Sequence, residues 1–212
     1  MERDCQPELW SCVVRAEQRP PWNHNIHYHR LVLDAVPDHA RSALDVGAGN
    51  GLLAADLRQK VSDVVGIDRD EAVLGAARQG RDDIDWILGD FMSYPFARTF
   101  DVVASVATLH HLPDMLAALR RVAELTTPGG VLVVVGLARS TRPRDFALDV
   151  VGVVQHRWLS WRRGYWEHSA PTAWPPAHSY SEVRQCATER LPGAQWKQLP
   201  LFRYALIWRK PR

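Results

Sequence analysis

The 212-residue chain carries 26 Lys and Arg against 24 Asp and Glu, a net charge of +2, and 46% of its residues are hydrophobic. These are ordinary globular values, and so small a charge gives no global field that would draw nucleic acid. No apolar run approaches the roughly 18 residues of a membrane span, residues 1–7 show no apolar leader segment, and the scattered cysteines Cys5, Cys12 and Cys186 suit free thiols in a cytoplasmic setting.

The first forty residues precede any strand pattern. After Pro20-Pro21 comes an aromatic segment with Trp22, His24, His27, Tyr28 and His29, and residues 27–36 read as helical. This segment is expected to cover the mouth of a ligand site. From residue 41 the chain alternates strand and helix, the signature of a mostly parallel sheet covered on both faces. Strands are predicted near 42–46, 63–67, 84–88, 101–106 and 131–137, and helices near 51–60, 70–79 and 113–125. Val131 to Val135 is the continuous apolar run of a buried parallel strand. Leu112, Met115, Leu116, Leu119 and Val122 form a helical stripe, with Pro113 placed in the first turn. Gly129-Gly130 reads as a turn, and Asp101 as the surface start of a strand.

Beyond residue 138 the composition shifts. Arg139, Arg142, Arg144, Arg157, Arg162 and Arg163 stand against Asp145 and Asp149, and six of the nine tryptophans lie beyond residue 150. A long helix is predicted from Pro143 to about Arg163, ended by Gly164, with the stretch from Phe146 to Leu159 partly buried on the sheet. A loop over 168–178, a short helix from Ser179 or Ser181 through Cys186, and a strand-like end from Gln195 to Arg209 broken at Pro200 complete the chain.

The octet Leu44-Asp-Val-Gly-Ala-Gly-Asn-Gly51 carries the chemistry. It closes a strand, spaces glycines at Gly47, Gly49 and Gly51, and opens a helix, so a ligand can lie against bare main chain. A dinucleotide fingerprint would need its third glycine at position 52, which is Leu52. The carboxylate of Asp45 would repel a pyrophosphate but hold a cationic amino group. The ligand is therefore expected to carry a cation and no phosphate.

This octet resembles the first motif of the class I S-adenosylmethionine-dependent methyltransferases. Val64 to Asp68, Ile87 to Phe91, Phe100 to Val106 and Leu125 to Leu132 resemble four further segments in the family's order, covering roughly residues 41–137. The resemblance implies an α/β fold: a Rossmann-like sheet of about seven strands, mostly parallel, with a C-terminal antiparallel hairpin and helices on both faces. It implies one domain over 1–212, with a lid at 1–40, a cofactor core at 41–137, and acceptor-side helices with the final hairpin at 138–212. S-adenosylmethionine is the implied cofactor. Asp45, Gly47, Gly49 and Gly51 would surround its methionyl part, Asp68 its ribose hydroxyls, Arg69 and the pair Asp90 and Phe91 its adenine. Val106 at the fourth strand end and Tyr28 in the lid would complete those contacts.

Methyl transfer needs alignment and exclusion of water, and a base only if the nucleophile arrives protonated. His110, beside the fourth strand end, and His24 in the lid are the candidates for proton transfer; His111, His27 and His29 are alternatives, and each can equally be a packed structural histidine. No cysteine or carboxylate near the lid histidines suggests a metal site. Ser105-Val-Ala-Thr108 lacks the Asn-Pro-Pro-aromatic tetrad of the resembling base methyltransferases, and the turns after strands four and five lack the acidic ligands of magnesium-dependent catechol methyltransferases. A small organic acceptor remains the expected partner. A cofactor-binding protein without transfer activity, or a membrane-surface methyltransferase of quinones or lipids, are the alternatives.

Overall fold

The computed structural model describes residues 22–167 and 175–212. Cys5, Cys12, Pro20-Pro21 and most of the expected 168–178 loop lie outside them. One seven-stranded sheet organises the chain, in the order β3-β2-β1-β4-β5-β7-β6. Its strands are β1 Ser42–Val46, β2 Asp63–Asp68, β3 Asp85–Leu88, β4 Phe100–Val106, β5 Thr126–Gly136, β6 Gln195–Leu199 and β7 Arg203–Arg209. β1 to β5 are parallel; β7 runs antiparallel to both β5 and β6. The order reverses between β1 and β4, the switch point where open α/β sheets leave a crevice at their strand C-termini.

The reversal of β7 brings a residue from far down the chain to that crevice. Gly136, the last residue of β5, registers with Tyr204 near the start of β7. Arg203 therefore stands at the same sheet edge as the ends of β1, β2 and β4.

Strand alternation divides the core between two faces. Leu44, Val65, Val103, Leu132 and Leu206 point to the side covered by α5 (Met115–Leu125) and α7 (Tyr180–Arg190). Ala43, Val64, Val102, Val131 and Ala205 point to the side covered by α2 (His29–Ala35) and α3 (Leu52–Arg58). A short α1 (His24–His27) precedes α2, and α4 (Glu71–Gly80) follows β2. α6 spans Pro143–Arg163 and ends at Gly164 with φ of 77°, a conformation glycine adopts without steric cost. Ser179 caps α7: its hydroxyl accepts from the Glu182 amide while the Glu182 carboxylate accepts from the Ser179 amide.

Three expectations about elements are corrected. Pro113 is not in a helix turn, because Asp114 caps α5 by accepting from the Ala117 amide and the helix starts at Met115. Gly129-Gly130 belongs to β5 and pairs through its backbone with Lys210, and a Cβ at Gly130 would lie 2.7 Å from the Asp101 carbonyl oxygen. The partial burial expected of Phe146 to Leu159 is confined to Gly152 and Leu159: Phe146, Val150, Val151, Val153, Val154 and Trp158 are exposed, as is Trp161 beyond them. Gly152 is the close approach, with the Leu201 backbone nitrogen 3.0 Å from where a Cβ would stand. Among the described residues no helix is long and apolar enough to cross a membrane.

Candidate active site

A cavity of about 450 Å³ opens along the C-terminal edge of the sheet and straddles the β1/β4 switch point. Its walls come from the C-terminal ends of β1, β2, β3 and β4 and the loops that follow them (Asp45, Gly47, Ala48 and Gly49; Asp68, Arg69 and Asp70; Gly89, Asp90 and Phe91; Val106, Ala107, Thr108, His110 and His111). Asn25, Ile26 and His29 from the N-terminal helices, Leu137 after β5, Trp166 after α6 and Arg203 of β7 close the other end.

The glycine loop is held in place by its neighbours. Gly47, Gly49 and Gly51 all have positive φ (76°, 52° and 75°). Thr108 packs on Gly47 so closely that a Cβ there would stand 2.1 Å from its hydroxyl oxygen. The Asp68 carboxylate accepts from the Gly49 amide at 2.8 Å and from the Asp70 amide at 3.0 Å, tying the loop to the end of β2. Helix capping in this stretch falls to Asp70, which accepts from the amides of Ala72 and Val73. Asp68 is thereby oriented at the cavity wall without being consumed as a cap.

Asp45 is the electrostatic centre of the loop. It is 1% exposed, and its Oδ2 has no hydrogen-bond partner among the described residues. Desolvation pushes its carboxyl up to about 7, the Ala54 amide opposing this and the Asp68 charge adding to it. A buried carboxylate oxygen left without a partner among the described residues is stabilised by a nearby cation.

At the other end, His110 is buried with an unpartnered Nδ1 and is held down to about 3 by burial, with the charges of His111 and Arg203 adding. It is neutral and able to accept a hydrogen bond. Ala107, between β4 and this histidine, takes φ of 56°, a strained conformation for a residue with a Cβ. Among the described residues no cluster of three or more His, Cys, Asp and Glu could hold a metal ion.

A methyltransferase-domain profile matches residues 44–134. An uncharacterised methyltransferase of Mycobacterium bovis is 39% identical over 194 residues, covering 90% of this chain and 98% of that one. The chain belongs to the class I S-adenosylmethionine-dependent methyltransferases. A ubiquinone biosynthesis O-methyltransferase of Stutzerimonas stutzeri is 31% identical over 118 residues, 53% of this chain and 50% of that one. The fold matches DesVI of Streptomyces venezuelae with a TM-score of 0.62 at 21% identity, covering 89% and 90% of the two chains.

In this methyltransferase Asp45, Gly47, Gly49, Asp68, Arg69, Asp90, Phe91 and Val106 line one cavity, as does His110. Phe91 is also core, packed with Ile67, Leu109 and Met115. Three other residues expected at the ligand stand elsewhere. Gly51 is not in the wall; it is a packing glycine, where a Cβ would lie 2.5 Å from the Trp86 ring. Tyr28 is buried with its hydroxyl donating to the Pro200 carbonyl at 2.7 Å, which docks the N-terminal segment on the β6–β7 turn. His24 also lies off the cavity. Its Nε2 is 2.9 Å from His156 Nδ1, within a cluster that includes Tyr165, and burial lowers it to about 4. His27 stands edge-on to Trp22, and His29 alone of the three lid histidines reaches the wall while bonding Asp56 at 2.8 Å.

Trp166, one of the aromatics read with Trp158, Trp161 and Tyr165 as the wall of a substrate pocket, does line the cavity, whereas Asn25, Thr108 and Arg203 were not singled out from sequence. One signal was available for Arg203: it is a lone inward charge in the otherwise apolar stretch from Leu199 to Trp208. The others face the cavity only through tertiary placement.

Proposed function

We propose that this cavity binds S-adenosylmethionine on its β1–β3 side and presents a small organic acceptor on its β4–β7 side for in-line methyl transfer. The observation that carries this reading is the buried, half-unpartnered carboxylate of Asp45 inside a glycine loop. A cofactor bearing an ammonium and a sulfonium fits it, and a pyrophosphate does not. When bound, S-adenosylmethionine supplies an electrophilic methyl group on sulfur.

The protein's part is binding and alignment. Asp45 would hold the ammonium, whose charge would draw the carboxyl back toward ionisation. Asp68, already fixed by two backbone amides, would accept from the ribose hydroxyls. Gly47 and Gly49 would let the methionyl chain lie against bare backbone. Asp90, whose Oδ1 accepts from the Met92 amide, and the ring of Phe91 would border the adenine with Arg69. His110 is suited to accept a hydrogen bond from the acceptor's nucleophile. Its depressed basicity leaves most of the rate to proximity and orientation rather than to proton abstraction.

Calorimetric titration with S-adenosylhomocysteine tests the reading. The wild-type chain is expected to bind, and Asp68→Ala to bind more weakly by on the order of 2–3 kcal/mol, the loss of a charge-assisted hydrogen-bond pair. A folded wild-type chain that does not bind at about 1 mM, a threshold already weaker than about −4 kcal/mol, sinks it.

A further inference from the structure

We propose that the acceptor carries a carboxylate and that Arg203 anchors it at the β7 end of the cavity. The proposal rests on the methyltransferase reading for what happens to the acceptor, but the anion site itself stands on separate residues.

Among the described residues Arg203 is a buried cation without a counter-anion. Its side chain lines the cavity although the residue is only 6% exposed. Nη2 donates to Asn25 Oδ1 at 2.8 Å. Nη1 reaches the carbonyls of Leu201 and Phe202 only at 3.4 Å each, and Nε has no partner. Among the described residues no carboxylate forms an ion pair with it. The groups whose negative forms would balance it are the phenols of Tyr180, Tyr28 and Tyr165. Burial pushes Tyr28 up to about 12 and Tyr180 higher, so both stay neutral. The acids near Tyr180 are already engaged: Asp145 accepts from the amides of Thr141 and Arg142, and Asp149 from the Ser140 hydroxyl. A guanidinium desolvated this far without an anion is unfavourable unless a ligand supplies one.

The cavity's polarity agrees. Asp45, Asp68, Asp70 and Asp90 outnumber Arg69 at the β1–β3 end, and Arg203 lines the β7 end, with β4 and β5 between them. A cationic donor and an anionic acceptor would each meet its opposite charge. β7 lies two strands from β4 in the sheet, a lateral distance of about 10 Å. That separation leaves room for a small acceptor between the anchored carboxylate and the end of β4, where Val106 and His110 stand. Leu201 and Phe202, with φ of 56° and 62°, form the tight hairpin turn that delivers Arg203 at the start of β7. Were the arginine simply pinning that turn, its bonds to the two turn carbonyls would be its shortest, and they are its longest.

The test uses the full chain, with and without saturating S-adenosylhomocysteine, titrated with benzoate against benzamide and butanoate against butanamide. Each carboxylate is expected to bind wild type at least about tenfold more tightly than its amide, the scale of one charge-assisted hydrogen bond. Arg203→Gln should bring that ratio near one while leaving S-adenosylhomocysteine affinity within about twofold, since the donor contacts lie at the other end of the sheet; Arg203→Lys should keep only part of the ratio, lacking the planar fork. Equal binding of acid and amide to wild type, no carboxylate binding at all, or a preference that survives in folded Arg203→Gln would each overturn the proposal. If Arg203→Gln does not fold, the wild-type ratio and the Lys variant decide. A preference that persists without S-adenosylhomocysteine binding would remove the methyl-donor reading and leave the anion site standing.

Discussion

Replacing Asp45 by Asn should strengthen the ligand-free fold and weaken the ligand. The carboxyl is 1% exposed and is displaced from 3.8 to about 7 by desolvation, the Ala54 amide opposing and Asp68 reinforcing the shift. Three units at 1.36 kcal/mol each give about 4 kcal/mol as an upper bound on the penalty for holding it ionised. Relaxation and water entry reduce this, so about 1–4 kcal/mol is expected. The sign follows from proton linkage. A carboxyl whose folded value is raised binds more protons in the native than in the unfolded state between pH 3.8 and about 7. Its contribution is fully present below pH 3.8 and is lost as the pH rises through about 7. The stability difference between Asp45→Asn and wild type should therefore grow across that window and level off above it.

Thermal melts of both proteins from about pH 5 to pH 8 measure this. At 2–4 °C per kcal/mol for a chain of this size, the variant should melt several degrees higher at about pH 8. Calorimetry with S-adenosylhomocysteine should show the opposite order, the variant binding roughly tenfold to a hundredfold more weakly for loss of the charge proposed to face the ammonium. A variant that melts at or below wild type at about pH 8 would refute the reasoning, because the desolvated carboxylate would then cost no more than a buried amide in its place.

Two further outcomes follow from the same structure. Gly47→Ala must place a Cβ at φ of 76° and 2.1 Å from the Thr108 hydroxyl oxygen; left-handed strain plus overpacking predicts a loss of about 2–5 kcal/mol in chemical denaturation, whereas Gly49→Ala, whose nearest neighbour is a Val73 methyl at 3.9 Å, should lose only about 1–2 kcal/mol. Equal losses at the two positions would contradict the packing of Thr108 on the loop. His24 is lowered from 6.5 to about 4 by burial, then by the charges of Arg203, His156 and His27; wild type should lose stability as the pH falls through that window, and His24→Leu should lose less, which paired melts at about pH 5 and pH 7 would show.

The glycine-loop side of the cavity was legible in the sequence because local rules govern it. A glycine loop between strand and helix, an acid before it and acids at the next two strand ends are set by neighbours a few residues away. The same locality located α6 to the residue and its Gly164 ending. Periodicity alone could not say which side of α6 would meet the protein: Gly152 and Leu159 are buried, while Phe146, Val150, Val151, Val153, Val154 and Trp158 of the same stretch are exposed. The lid histidines show the same limit. His24, His27 and His29 are close in sequence, yet only His29 reaches the cavity, because the turn between α1 and α2 separates their directions. Gly51 looked like its two companions and serves Trp86 instead, a contact with a residue 35 positions away.

What the sequence by itself determined is the fold class, the strand-to-helix glycine loop and the chemistry suited to a cationic donor. What only the tertiary structure decided is the far end of the cavity. Arg203 reaches it because β7 inserts antiparallel beside β5, which carries a residue near the chain's end to the sheet edge where β1 and β4 finish. Its burial, its free Nε and the absence of a paired acid among the described residues arise from contacts distant in sequence, which no local pattern encodes.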